Sequence, residues 1–126
     1  MKRVTGIGGP FIRSKDPAAL AAWYEQHLGA PFQGNTYAIW PFAGAGEVPQ
    51  PGFNILSFFK EDAAYFAPSE KSVMLNFMVA DLFALLEVLR GEGVTVVGEP
   101  MVEEYGKFGW IMDPEGNKIE LWEPPA

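Results

Sequence analysis

At 126 residues, with 48% apolar and 20% charged side chains, the chain is one domain's worth of ordinary globular sequence, too small for two independent domains. It has no cysteine, which excludes disulfides, thiolate chemistry and Cys-built zinc sites. A formal charge of -7 repels polyphosphate and argues against nucleic acid, while no apolar run reaches the roughly 18 residues of a membrane helix, so a cytoplasmic protein with neither partner is expected.

Val4 to Arg13 reads as a strand interrupted by Gly6, Gly8, Gly9 and Pro10, which calls for a bulge, an edge position or the close approach of another backbone. Asp16-Pro17 then opens a helix, with Asp16 accepting from the orphan amides and Pro17 at the first helical position. Leu20, Trp23, Tyr24 and Leu28 recur at helical spacing as an apolar stripe predicted to face the core, and Gly29 stops the helix. His27, the one histidine, lies on this helix and reads as a polar neighbour of the stripe. Phe32 to Phe42 predicts a strand broken near Gly34-Asn35 into two paired pieces, Ala43 to Gly52 a loop, and Phe53 to Phe59 a further strand. Lys60 to Ser72 reads as a link anchored by Tyr65-Phe66.

Val73 to Val79 is again a strand, followed by a capping Asp81, a helix through Leu82, Leu85, Leu86 and Leu89, stops at Gly91 and Gly93, and a strand beginning at Val94 to Val97. A slide of 65 residues lays Asp16 on Asp81, Leu20 on Leu85 and Ile12 on Phe77, so the order strand, Asp, helix, Gly, strands occurs twice. The chain closes with a hairpin: Phe108 to Met112, the turn Asp113-Pro114-Glu115-Gly116-Asn117, and Lys118 to Trp122. Alternation in the last strand sets Ile119 and Leu121 against Lys118, Glu120 and Trp122.

The hairpin DPEGNKIEL, the opening GIGG with Asp16-Pro17, the helix end WYEQHLG and the segment NFMVADL together resemble the glyoxalase / bleomycin-resistance / extradiol-dioxygenase (vicinal oxygen chelate) superfamily. The resemblance implies an α+β fold of paired βαβββ modules, about residues 1–68 and 69–126, forming one open, cleft-containing barrel. Its metal-using members take ligands from the first and last strands of each module. Carried over, those positions are Gly9, Met74, Glu120 and, by the 65-residue offset, Ile55, of which only Glu120 can ligate a hard or borderline ion. No cofactor is therefore expected, and a divalent metal is disfavoured.

Alternation places Met74, Asn76 and Met78 in the cleft, opposite Leu75, Phe77 and Val79, which are expected to meet the helix. Phe11 and Arg13 are the matching cleft residues of the first module, joined by Glu120, Trp122 and either Trp110 with Met112 or Gly109 with Ile111. Tyr105 either hangs over the cleft or sits in a loop. Such an apolar pocket with a few polar groups suits a small aromatic or amphipathic organic ligand, neutral or cationic given the acidic chain, as in bleomycin-resistance members. The other function is an isomerase, lyase or dioxygenase type enzyme acting on a small carbonyl or aromatic compound. There Glu120 is the candidate base or sole metal ligand, and Asn76 polarises the oxygen. Glu120 has a structural alternative, an ion pair with Arg13 or Lys118 or a place at the solvent boundary. The family habit implies a homodimer, which Gly8-Gly9-Pro10 would permit through close approach.

Overall fold

A computed structural model describes residues 3–41 and 53–125, so Phe42 and the loop expected over Ala43 to Gly52 lie outside the described residues. The elements are β1 (Val4–Ser14), α1 (Pro17–Leu28), β2 (Tyr37–Pro41), β3 (Phe53–Lys60), a single 3-10 turn at Ala64–Phe66, β4 (Val73–Val79), α2 (Leu82–Gly91), β5 (Met101–Glu103), β6 (Gly106–Met112) and β7 (Lys118–Glu123). The strands make one curled sheet, a half-barrel, in the order β2-β3-β1-β4-β7-β6-β5. β1 and β4 run antiparallel at its centre, and each is flanked by a parallel partner, β3 beside β1 and β7 beside β4.

The two helices start the same way. Asp16 and Asp81 share a φ of -144° and accept the backbone N–H three residues on, at 3.1 Å from Ala19 and 3.2 Å from Ala84. Each cap satisfies an amide that has no partner inside the helix. Below the caps the helices part company. α2 buries Leu82, Leu85 and Leu86 against Val79 and Leu121, with Phe77, Ile111 and Ile119 closing the cluster. α1 buries only Ala21, and Leu20 and Tyr24 cover the cluster of Ala30, Phe32, Ala38 and Phe58 from the side. The expected stripe is thus corrected: Trp23 is 50% and Leu28 66% exposed. The small Ala21 is the residue that meets the sheet, which turns the neighbouring large side chains outward.

Three further expectations are revised. Residues 32–36 form no strand, so β2 is one piece, and Phe32 packs as a core ring instead. Val94 to Val97 contribute a single bridge, Val96 to Ile111, and the strand proper waits until Met101. Leu75 lies 39% exposed on the outer face rather than under the helix.

The glycines of β1 have a mechanical purpose. Register shifts fall between Val4 and Gly6 and between Ile7 and Gly9. A Cβ on Gly9, whose φ is +148°, would stand 1.7 Å from the Ile55 carbonyl oxygen, and one on Gly8 would stand 1.8 Å from Asn76 Oδ1. The close approach made possible here is between strands of the same chain, β1 with β3 and β4.

Candidate functional site

β7 builds the site through its alternation. Ile119 and Leu121 face α2, and Lys118, Glu120 and Trp122 face the concave side, each less than a tenth exposed. The parallel ladder sets Asn76 of β4 beside Glu120, and the antiparallel ladder sets Trp110 of β6 on its other flank. Three side chains on adjacent strands therefore stand in one row. The parity of β6 follows: Ile111 joins the α2 cluster and Gly109 lies against Leu82 and Leu86, which leaves Trp110 and Met112 for the concave side.

Glu120, 1% exposed, is held by three donors. The Asn76 amide donates to Oε1 at 2.7 Å, the Trp110 indole N–H to Oε2 at 2.9 Å, and the Tyr65 hydroxyl to Oε2 as well. Burial raises the Glu120 carboxyl above the ordinary value, and the three donors, Tyr65 foremost, act against that shift by favouring the ionised form. Burial and the adjacent carboxylate push the Tyr65 phenol up, so it stays a donor. Lys118 donates to the Tyr65 carbonyl at 2.7 Å and lies 5.5 Å from the ring centres of both Tyr65 and Trp110. Its ammonium, lowered by burial, thus braces the two rings that hold Glu120.

Over this row opens a cavity of about 650 Å³. Phe11, Ile55 and Phe59 line it from the first half of the sheet, Phe108 and Trp122 from the second, and Tyr37, Phe53, Met101 and Tyr105 also contribute to its wall. Among the described residues the polar groups are few: Ser57, Asn76, Glu120 and the hydroxyls of Tyr37, Tyr65 and Tyr105. Phe53 packs on Trp122 with ring centres 4.7 Å apart, and Phe59 stacks on Tyr65 at 5.5 Å.

Of the residues singled out from sequence, Phe11, Asn76, Glu120 and Trp122 line this cavity. Trp110 meets Glu120 through its indole N–H. Met74, 1% exposed, sits with Phe11 and Phe66, and Met78 with Phe108 and Trp122, both as packing beside the cavity. Met112 is half-buried opposite Lys118 at the end of β6. Arg13 points elsewhere: its guanidinium donates to the carbonyls of Lys71 and Ala63 and covers the Phe66 ring at 4.7 Å. His27 packs on Trp23 with ring centres 5.0 Å apart, on α1.

Sequence reasoning did not reach Tyr65 as a partner of Glu120. It stands in an aperiodic link, and the adjacent aromatic pair was the only available signal. Ser57 was missed for a different reason. Phe11 pairs with Ser57 as Asn76 pairs with Glu120, so with Phe11 laid on Asn76 the matched position is Ser57 rather than Ile55. The offset is 65 at the caps and 120 - 57 = 63 at the last strands.

The curled α+β half-barrel, with two helices outside and a buried carboxylate at the floor of an aromatic cleft, has the architecture of glyoxalase-like folds. The chain belongs to the Glyoxalase/Bleomycin resistance protein/Dioxygenase superfamily, whose sequence profile matches residues 6–121. Among curated proteins none matches it. Among solved structures it is similar to a methylmalonyl-CoA epimerase from Streptomyces coelicolor in complex with 2-nitronate-propionyl-CoA, at 22% identity over 98% of this chain and 99% of that one, TM-score 0.70. A methylmalonyl-CoA epimerase from Mycobacterium tuberculosis matches at 23% identity, 100% and 92% coverage and TM-score 0.64. The Mn(II)-bound glyoxalase from Novosphingobium aromaticivorans matches at 13% identity, 98% and 40% coverage and TM-score 0.53. At these identities the likeness establishes the fold.

Members of the superfamily often use a divalent metal, and the residues present here do not fit one at Glu120. Three of its roughly four lone-pair sites already accept N–H or O–H hydrogens, and the one site left on a lone carboxylate falls short of the roughly three protein ligands a catalytic metal needs. At the Gly9 level the Ile55 backbone fills the place of any side chain, and no cluster of three His, Cys, Asp or Glu occurs among the described residues. Among those residues, too, no helix is long and apolar enough to cross a membrane.

Proposed function

We propose that the protein binds a small aromatic or amphipathic organic molecule in the cleft between the two halves of its sheet. The observation that carries this reading is the cavity itself: about 650 Å³, walled by aromatic rings, with a fixed carboxylate at its floor. A volume of this size suits a small organic ligand, and few polar groups among many apolar ones give orientation without a broad hydration penalty. Glu120 is held as an anchor, since three donors immobilise it before any ligand arrives.

A second reading rests on the raised Glu120 carboxyl, a property that a general base working near neutrality needs. The protein would then be a metal-independent isomerase or lyase, and the epimerases among its structural neighbours share that broad class by name. The geometry favours it less. Asn76 directs its N–H at the carboxylate rather than at a substrate oxygen, and Oε2 already accepts two hydrogen bonds.

The test is native mass spectrometry of freshly purified protein, followed by calorimetric titration with 2-naphthalenemethanol, a neutral aromatic probe. Retention of an organic adduct or probe binding that Phe53→Ala weakens severalfold supports the reading. Stoichiometric metal surviving desalting, or turnover of a carbonyl compound that Glu120→Gln abolishes and a chelator leaves intact, overturns it. The same spectrum reads subunit count, for which a homodimer is proposed.

A further inference from the structure

Accepting the cleft-binding reading, we infer that the cleft takes aromatic molecules carrying a protonated amine and turns away those whose polar end is a carboxylate or phosphate. The first observation is an inventory of charge. Among the described residues lining the cavity, Glu120 is the sole carboxylate, and none is Lys, Arg or His. Two cations expected to face the cleft or lying close to Glu120 are turned aside. Lys118 sits behind the Tyr65 and Trp110 rings and donates to a backbone carbonyl, and Arg13 donates to the carbonyls of Lys71, Ala63 and Ser69.

The second observation is an inventory of donors. The Trp110 indole, the Asn76 amide and the Tyr65 hydroxyl all donate to Glu120, and the Trp122 indole donates to the Tyr105 carbonyl at 3.0 Å. These four donors are thus engaged within the protein, which leaves the neutral hydroxyls of Ser57, Tyr37 and Tyr105 as further polar groups on the wall. Three donors and no acceptor around a carboxyl group suit its ionised form, and three hydrogen bonds leave one of its roughly four lone-pair sites open, on Oε1.

An ammonium reaching that lone pair makes a charge-assisted bond, and the aromatic part of the molecule lies in a cavity lined by Trp122, Phe53 and Tyr105. An anion at the same depth would lose its hydration and meet the Glu120 carboxylate, with no cation among the described lining residues to compensate. Coenzyme A thioesters, with their phosphates, fall in the rejected class, which separates this cleft from the ligand bound by the Streptomyces epimerase. The chain's charge of -7 acts in the same direction from a distance and has to be separated from the local contact.

Three probes sharing one ring system do this: 2-naphthylmethylamine, 2-naphthalenemethanol and 2-naphthoate, titrated by calorimetry near neutral pH. The amine is expected to bind about tenfold or more tighter than the carboxylate, as one charge-assisted contact supports. The ratio should persist in about 0.5 M NaCl, where surface charges are screened within a few ångströms. Glu120→Gln should bring it toward one. A ratio near or below one in the wild type, a ratio that collapses with salt, or one unchanged in Glu120→Gln overturns the inference. If Glu120→Gln does not fold, the salt series decides. Binding of the alcohol without an amine preference would leave the cleft reading standing and remove this one, whereas failure of all three probes removes both.

Discussion

The two halves of the sheet are built on one plan and furnished differently. Around the central pair β1 and β4, each half has a capped helix outside and a parallel neighbour strand. At matched ladder positions the first half has Phe11 and Ser57 where the second has Asn76 and Glu120. The first half thus supplies an apolar wall and the second a polar floor. The difference teaches that a scaffold whose two halves share one arrangement can form one asymmetric cleft when a single carboxylate is kept on one side, and several substitutions can break or sharpen that comparison.

The largest effect is expected at Gly9, which the 65-residue offset matches to Met74. Gly9→Ala would drive a Cβ into the Ile55 carbonyl at a backbone conformation that L-residues rarely adopt. It should cost more than about 4 kcal/mol or abolish folding, whereas Met74→Leu, a volume-conserving change in the core, should cost less than about 1.5 kcal/mol. Urea denaturation measures both.

The carboxylate comes next. Glu120→Ala strips three buried or half-buried donors of their acceptor, at roughly 1–3 kcal/mol each before relaxation, and its total should exceed about 3 kcal/mol. Ser57→Ala, at the matched position, should stay within about 1 kcal/mol. The pH dependence has a definite sign. Because burial raises the folded-state Glu120 carboxyl above 4.5, folding stability from this group is fully present below that pH and is lost as pH rises through the raised value. Thermal melts of wild type against Glu120→Gln across mildly acidic pH should show that slope in the wild type and its absence in the variant.

The helices give the third contrast. Leu86→Ala in α2 removes a fully buried side chain and should cost about 3 kcal/mol, while Trp23→Ala in α1, half exposed, should cost less than about 1 kcal/mol. The smallest expected effect is an equality: Asp16→Ala and Asp81→Ala each lose one capping bond of matching geometry and should each cost about 1 kcal/mol.

Much of this was legible in the sequence because it rests on local rules. Asp-Pro and Asp at the helix starts, the Asp-Pro-Glu-Gly-Asn turn and the alternation of β4 and β7 act within a few residues, and they placed Asn76, Glu120 and Trp122 on the concave face. What stayed hidden depends on contacts across the chain. Tyr65 reaches Glu120 over 55 residues from a link without periodicity. The α1 stripe was misread because Ala21, a residue with little apolar area, is the one that meets the sheet. The two-residue slip that matches Ser57 to Glu120 comes from connections of unequal length, which an ungapped offset cannot register.

The most direct test of the cleft uses the four tryptophans as reporters, since each indole N–H gives its own resonance in a nitrogen–proton correlation spectrum. During titration with 2-naphthalenemethanol, the Trp110 and Trp122 indole signals should shift progressively and saturate, and that of Trp23, on the outer surface of α1, should stay in place. Saturable shifts confined to Trp23, or no shift at Trp110 and Trp122 while calorimetry records binding, would contradict a ligand site between the two halves.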